Sequence, residues 1–241
     1  MDPHIGNRCN VSEVLATMLK RILVGIFILL VAACTFKAGD RENPIFRSFS
    51  WFSYLGGEDI RAECRSGSPD RYRIVYNGIW DEQVRTYDIT ADGRGGAGLV
   101  LQVSGDLDVF QIQLNDPLGP WRGKILRRDL SAGEFGAIRD ALQASGFAAP
   151  PPSGMRLQSW SFFWLAAVCE GGKFAYNGWA YPSPRFDGVK LAAPLLAVDK
   201  SGIALARPRD TDRPRAVDRQ EKPFYELAIS AQGIRDNFTP F

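Results

Sequence analysis

The chain has 241 residues, 45% of them hydrophobic and 23% charged, with 24 Gly, 15 Pro and a single His. A body of this size buries roughly 70% of the surface its unfolded chain exposes, which excludes a disordered tail and removes any need for a structural metal. The net charge is +2, from 29 basic and 27 acidic residues of interspersed sign, which excludes the concentrated basic face that nucleic-acid binding requires.

The first element is an apolar run, 15 uncharged residues from Ile22 to Phe36 between Lys20-Arg21 and Lys37. A spanning helix needs about 20 apolar residues, whereas a run of this length suits the apolar region of a signal peptide. The residues before Met18 include Asp2 and Glu13, a mixed-charge preface foreign to export signals. Translation from Met18 restores a short basic start followed by the apolar core, so Met18 is the expected true start.

Val31-Ala32-Ala33-Cys34 resembles the lipobox of bacterial lipoprotein precursors. The resemblance implies that the Cys34 thiol receives diacylglycerol and that the Ala33–Cys34 bond is then cut. Residues 1–33 are then an export signal, 34–45 a tether and 46–241 one envelope domain facing the periplasm. Thr35, where enteric-type lipoproteins retained in the inner membrane carry Asp, implies the outer membrane by the same resemblance. Two other readings stay open: an uncleaved single-span anchor, and ordinary cleavage after Ala33, which Val31 and Ala33 also suit. All three export the body.

Loss of residues 1–33 removes Cys9 and His4, and lipidation uses Cys34. Cys64 and Cys169 then remain as the body's two thiols in an oxidising compartment, and they are the disulfide candidates. Closing a loop of about 100 residues stabilises by up to about 4 kcal/mol. Two separate buried thiols are the alternative. The exported chain also lacks histidine, which removes imidazole-activated nucleophiles and histidine-ligated metals from its chemistry. The cysteines follow no metal-ligand spacing, so neither a metal nor a cofactor is expected.

The body begins at an aromatic cluster, Phe46, Phe49, Trp51, Phe52 and Tyr54. Strands are expected at 59–64 and 71–80 around a Ser-Gly-Ser-Pro-Asp turn, at 83–90 and 98–104 around Asp92-Gly93, and at 107–114 and 124–129, forming an antiparallel meander. A helix is expected over 131–145. Ser131 and Glu134 form its capping box, Phe135, Ile138 and Leu142 share one face, and Gly146 with Pro150-Pro151-Pro152 ends it. Trp160–Cys169 and Lys173–Tyr181 read as a buried hairpin about Glu170-Gly171-Gly172. Residues 187–199 have helical spacing, with Pro194 marking a kink or a start. Arg207–Pro223 reads as an exposed loop before a last strand, Phe224–Ser230.

These elements give an α+β class, an antiparallel sheet of hairpins with helices at 131–145 and 187–199. The order of helix, Gly-Phe and Pro, aromatic hairpin and apolar helix over residues 124–200 resembles a pattern in small exported bacterial proteins of unknown function. That resemblance implies the fold class and carries no functional residues with it.

No motif assigns a reaction. Gly93–Gly98 is followed by a strand rather than a helix, unlike a dinucleotide fingerprint. Tyr76-Asn77-Gly78 recurs as Tyr176-Asn177-Gly178, a recurrence short enough to be accidental. Trp160, Trp164, Trp179 and Tyr181 can form a stacking platform for a ligand or can be core. The acid pairs Glu58-Asp59 and Asp81-Glu82 would, as strand neighbours, point to opposite faces and form no facing dyad. The expectation is a structural or binding module held at the membrane by its lipid, with an envelope protein or glycan as partner. The alternative is a histidine-free carboxylate enzyme acting on glycan.

Overall fold

The structure, a computed structural model, describes residues 51–80, 82–104, 123–212 and 224–238, all within the unit Ala38–Phe241. The expected export signal, Cys34, the tether, the strand at 107–114, Asp81 and residues 213–223 lie outside the described residues.

The described strands are β1 (Arg71–Gly78), β2 (Val84–Ala91), β3 (Ala97–Ser104), β4 (Lys124–Leu130), β5 (Arg156–Gln158), β6 (Phe162–Glu170), β7 (Lys173–Ala180), β8 (Glu226–Ser230) and β9 (Gly233–Phe238). Helices α1 (Glu58–Glu63), α2 (Ala132–Ala144), α3 (Pro184–Asp187) and α4 (Ala192–Val198) join them, and residues 51–55 are helical. Six strands form an antiparallel sheet in the order β4-β3-β2-β1-β6-β7, and β5-β8-β9 form a second, smaller one. The class is mixed α+β with strands predominating.

Local signals set the hairpins and α2. At the β2–β3 turn the Asp92 side chain accepts from the Arg94 N–H at 2.7 Å, and Gly93 takes a positive φ of 74° that a side chain would resist. Ser131 and Glu134 close the capping box reciprocally, satisfying two N–H groups that the helix start leaves open. Buried Phe135, Ile138 and Leu142 turn one face of α2 to the sheet.

Successive strand residues point to opposite faces, and both faces of the six-stranded sheet carry buried side chains. On the α2 face, Tyr72, Ile74, Tyr76, Tyr87, Leu101 and Trp164 belong to one core with α2 and α4. On the opposite, α1 face, Val75, Phe163, Leu165 and Ala167 are buried. There Ala167 lies against Gly57 at the start of α1, and Gly178 against Leu157 and Ile229 of the small sheet. Strand β6, apolar from Phe162 to Cys169 and buried throughout, is the pattern a strand covered on both faces requires.

Three expectations are corrected. Residues 59–64 are not a strand: Glu58–Glu63 is helical, with Glu58 and Asp59 in the first turn, Arg61 in the last and Ile60 alone buried. That charge order suits a helix dipole, and Glu, Arg and Ala are strong helix formers. Of the expected helix at 187–199 only Ala192–Val198, α4, is helical, with Pro194 in its first turn, where its missing N–H leaves no bond unmade; the separate short helix α3 ends at Asp187. Strands β5 and β9 were not expected; β5 has three residues, too few for a pattern to show. Among the described residues no helix is long and apolar enough to cross a membrane.

Candidate functional site

The chemistry-bearing side chains gather on the two sheet faces, and each face centres on an arginine with no exposed surface, Arg73 and Arg85. On the α1 face Arg73 donates from Nη1 to Asp59 Oδ1 at 2.7 Å, from Nη2 to Asp59 Oδ2 at 3.0 Å, from Nε to Asp88 Oδ1 at 2.7 Å and from Nη1 to the Tyr54 carbonyl at 2.8 Å. Its guanidinium lies 3.7 Å from the centroid of the Tyr54 ring, whose hydroxyl donates to Asp88 Oδ2 at 2.7 Å. The planar fork thus meets the helix, the sheet and an aromatic face at once. Burial by itself would raise the Asp59 carboxyl, but the Arg73 hydrogen bond and the charges of Arg73 and Arg71 outweigh it and hold the group below the usual value.

Beside this cluster Cys64, the C-cap of α1, is joined to Cys169 of β6, 105 positions further along the chain, with Cα atoms 5.6 Å apart. The expected pairing is therefore present. A cavity of about 250 Å³ opens next to it, lined by Ile60, Glu63, Arg65, Arg71 and both cysteines. That volume falls short of the usual range for small-molecule pockets.

On the α2 face Arg85 donates from Nε to Gln83 Oε1 at 3.0 Å and from Nη2 to the Ala204 carbonyl at 2.9 Å. It also pairs with Asp199 and donates to the Ile203 carbonyl. These carbonyls belong to residues 201–212, which have no regular secondary structure and form a strap across the ends of the strands. Lys124 of β4 donates to the Ser201 carbonyl at 2.6 Å, Gln83 Nε2 to Ala204 at 2.9 Å, and Tyr76 of β1 to Ala206 at 2.6 Å. Arg209 lies 5.6 Å from the Phe162 ring centroid at the start of β6 and pairs with Glu82, and Tyr181 donates to Asp210 at 3.4 Å. Next to the strap, Ile79 has a φ of 70°, a region that costs a β-branched residue on the order of 1–3 kcal/mol.

The four aromatic residues of the expected platform are divided. Trp164 and Trp179 are cross-strand partners, only 3% and 0% exposed. Trp164 packs 4.6 Å from the Tyr76 ring, and Trp179 Nε1 donates to the Ser145 carbonyl at 2.9 Å. Tyr181 meets Phe162 and Phe186 edge-on and is half-exposed. Trp160, 7% exposed, stands apart against Phe224. The three tryptophans are interior.

The recurring Tyr-Asn-Gly words do similar work on opposite faces, which sequence reasoning missed. Asn77 Nδ2 donates to the carbonyls of Ser159 and Ser161 at 3.0 and 2.6 Å. Asn177 Nδ2 donates to those of Phe147 and Ala149, while its Oδ1 accepts from the Gly178 N–H and Arg185. Each amide clamps two carbonyls two residues apart. Each following glycine is needed because a Cβ at Gly78 would meet Ala206 at 2.9 Å, and one at Gly178 would meet Ile229 at 2.6 Å.

The acids form no open dyad among the described residues. Glu58 accepts from Ser53, Asp59 and Asp88 share Arg73, and Glu82 pairs with Arg209. No group of three His, Cys, Asp or Glu among the described residues is placed to hold a metal ion. No protein-family model, curated protein or solved structure matches the chain.

Proposed function

We propose that this protein is an exported module of a bacterial cell envelope, anchored by lipid on Cys34 and facing the periplasm, that works by binding or structural support rather than catalysis. The observation that carries the export part is the Cys64–Cys169 bond. Two thiols far apart in sequence, joined within a folded body, suit an oxidising compartment and not the cytosol. Export is also what the lipobox resemblance at Val31–Cys34 implies. Three acyl chains at about 0.8 kcal/mol per buried methylene hold such a body at a membrane without a spanning helix. The outer membrane is the destination by the same resemblance, through Thr35.

The binding part is supported by how the charged groups are used. Of the acids singled out in the sequence, Asp59 and Glu82 are held in ion pairs with Arg73 and Arg209 and Glu58 accepts from Ser53, which favours a structural or binding use of these charges. An envelope protein or glycan is the partner class.

Fractionation of cells expressing the wild type and Cys34→Ala, with radioactive palmitate in the medium, tests the anchor. The wild type is expected in the membrane fraction carrying label, and the variant unlabelled and released from the membrane. Recovery of unlabelled wild type from the cytosol with free thiols at positions 64 and 169 would overturn the proposal.

A further inference from the structure

We infer that the strap, residues 201–212, occupies a groove built for an extended polypeptide, and that a segment of a partner protein with the same alternation takes its place. This rests on the binding part of the reading above and not on the anchor.

The strap is held as a bound peptide is held. Four of its carbonyls, those of Ser201, Ile203, Ala204 and Ala206, accept from side chains of the sheet and its β1–β2 connection, and the Ala206 N–H donates to Gln83 Oε1 at 3.0 Å. Its contacts follow the order of the strands, from β4 through β2 and β1 to Phe162 of β6 and Tyr181 beyond β7. Ile203 and Leu205 pack against the core while Gly202 and Ala204 are exposed, the alternation of an extended chain on a surface. Main-chain bonds of this kind accept many sequences, and the two apolar positions select among them.

The strap can also leave without unbalancing the core. Asp199 is the C-cap of α4 and remains with Arg85 when the strap lifts, so the buried cation keeps its carboxylate. Gly202, at φ 74° with open space around its Cα, supplies the hinge. The far end is held by the Arg209–Glu82 pair, with side chains 51% and 43% exposed, and by the long Tyr181–Asp210 contact. Exposed pairs of this type hold weakly and are screened by salt. Lifting the strap uncovers Tyr76, whose ring lies against Trp164, and Phe162.

The test uses the full-length chain in detergent with residues 202–212 replaced by a Gly/Ser segment of equal length, and a fluorescent peptide of the natural residues 201–212. Expected are an unchanged near-ultraviolet spectrum, peptide binding at least tenfold tighter than to the wild type, whose groove is filled, and about fivefold weaker binding when Tyr76→Phe is added, the loss of one hydrogen bond. In the wild type, hydrogen exchange at the Ala206 amide should occur by local opening, well before exchange in β1. Loss of cooperative folding in the replaced variant, equal binding of a scrambled peptide, no binding at all, or Ala206 exchange only through global unfolding would each overturn the inference. None of these outcomes bears on Cys34, whose labelling fails or succeeds separately.

Discussion

Arg73 and Arg85 are equally buried on opposite faces of one sheet, yet the structures that enclose them differ in kind. Arg73 is closed in by a helix whose own carboxylate grips it and whose last turn is tied to β6 by a disulfide. Arg85 is closed in by an irregular strap that offers main-chain carbonyls and has an exposed far end. Desolvated charge requires partners on both faces. Only on the α1 face is the arrangement covalently fixed, so that side is permanent, while the proposed exchange belongs to the side the strap closes.

The largest effect that would break this comparison is expected from Arg73→Leu, which leaves Asp59 and Asp88 facing each other across an apolar side chain. Removing one member of a buried ionic group costs about 3–5 kcal/mol, to be read from urea unfolding. Arg85→Leu is expected to cost about 2 kcal/mol less, because strap opening lets water reach Asp199. Equal losses would mean that the strap is as rigid as α1. Next in size is the double replacement Cys64→Ser with Cys169→Ser, expected to lower stability by up to about 4 kcal/mol. It should leave exchange of the strap amides unchanged while exposing those of α1. A smaller pair of effects separates the two asparagines. Asn177→Ala removes bonds to both loop carbonyls, a main-chain N–H and Arg185, and is expected to cost about 2–3 kcal/mol. Asn77→Ala, whose Oδ1 has no partner among the described residues, is expected to cost about 1–2 kcal/mol.

What the sequence made legible is what local physics decides. Ser131 with Glu134, Asp92 with Gly93 and the apolar β6–β7 hairpin each carry their signal within a few residues, and all three form as expected. The disulfide was legible by subtraction, since the expected loss of residues 1–33 and lipidation of Cys34 would leave Cys64 and Cys169 as the two remaining thiols. Arg73 was not legible, because alternation of Arg71 and Arg73 with Tyr72 and Ile74 on β1 reads as a strand with one wet face, and Arg85 was not legible because it shares its β2 face with Tyr87 and Ile89 at the strand's end, where a charge reads as solvated. The correcting signal lies on another strand: β6 is apolar at successive positions from Phe162 to Cys169, so the sheet must be covered twice and neighbouring charges must be buried too. The strap left no local trace, since its contacts come from side chains as far as 130 residues away. Helix α1 was misread because six residues with one buried side chain show no periodicity.

The smallest expected effect sharpens the comparison by pH. The Asp59 carboxyl titrates below its ordinary value of 3.8 in the folded state, so in acid the unfolded chain binds this proton first. Its contribution to stability is therefore fully present above about pH 4 and is lost as pH falls through the folded value. In the intact protein the disulfide keeps α1 beside the sheet while Asp59 protonates, and the protection factors of the α1 amides should fall only slightly across that range. With Cys64→Ser and Cys169→Ser together, the same protonation should release the helix, and the protection factors of α1 should drop well before those of β1. A parallel drop in both proteins would show that the Arg73 cluster, rather than the covalent bond, decides whether that face can open.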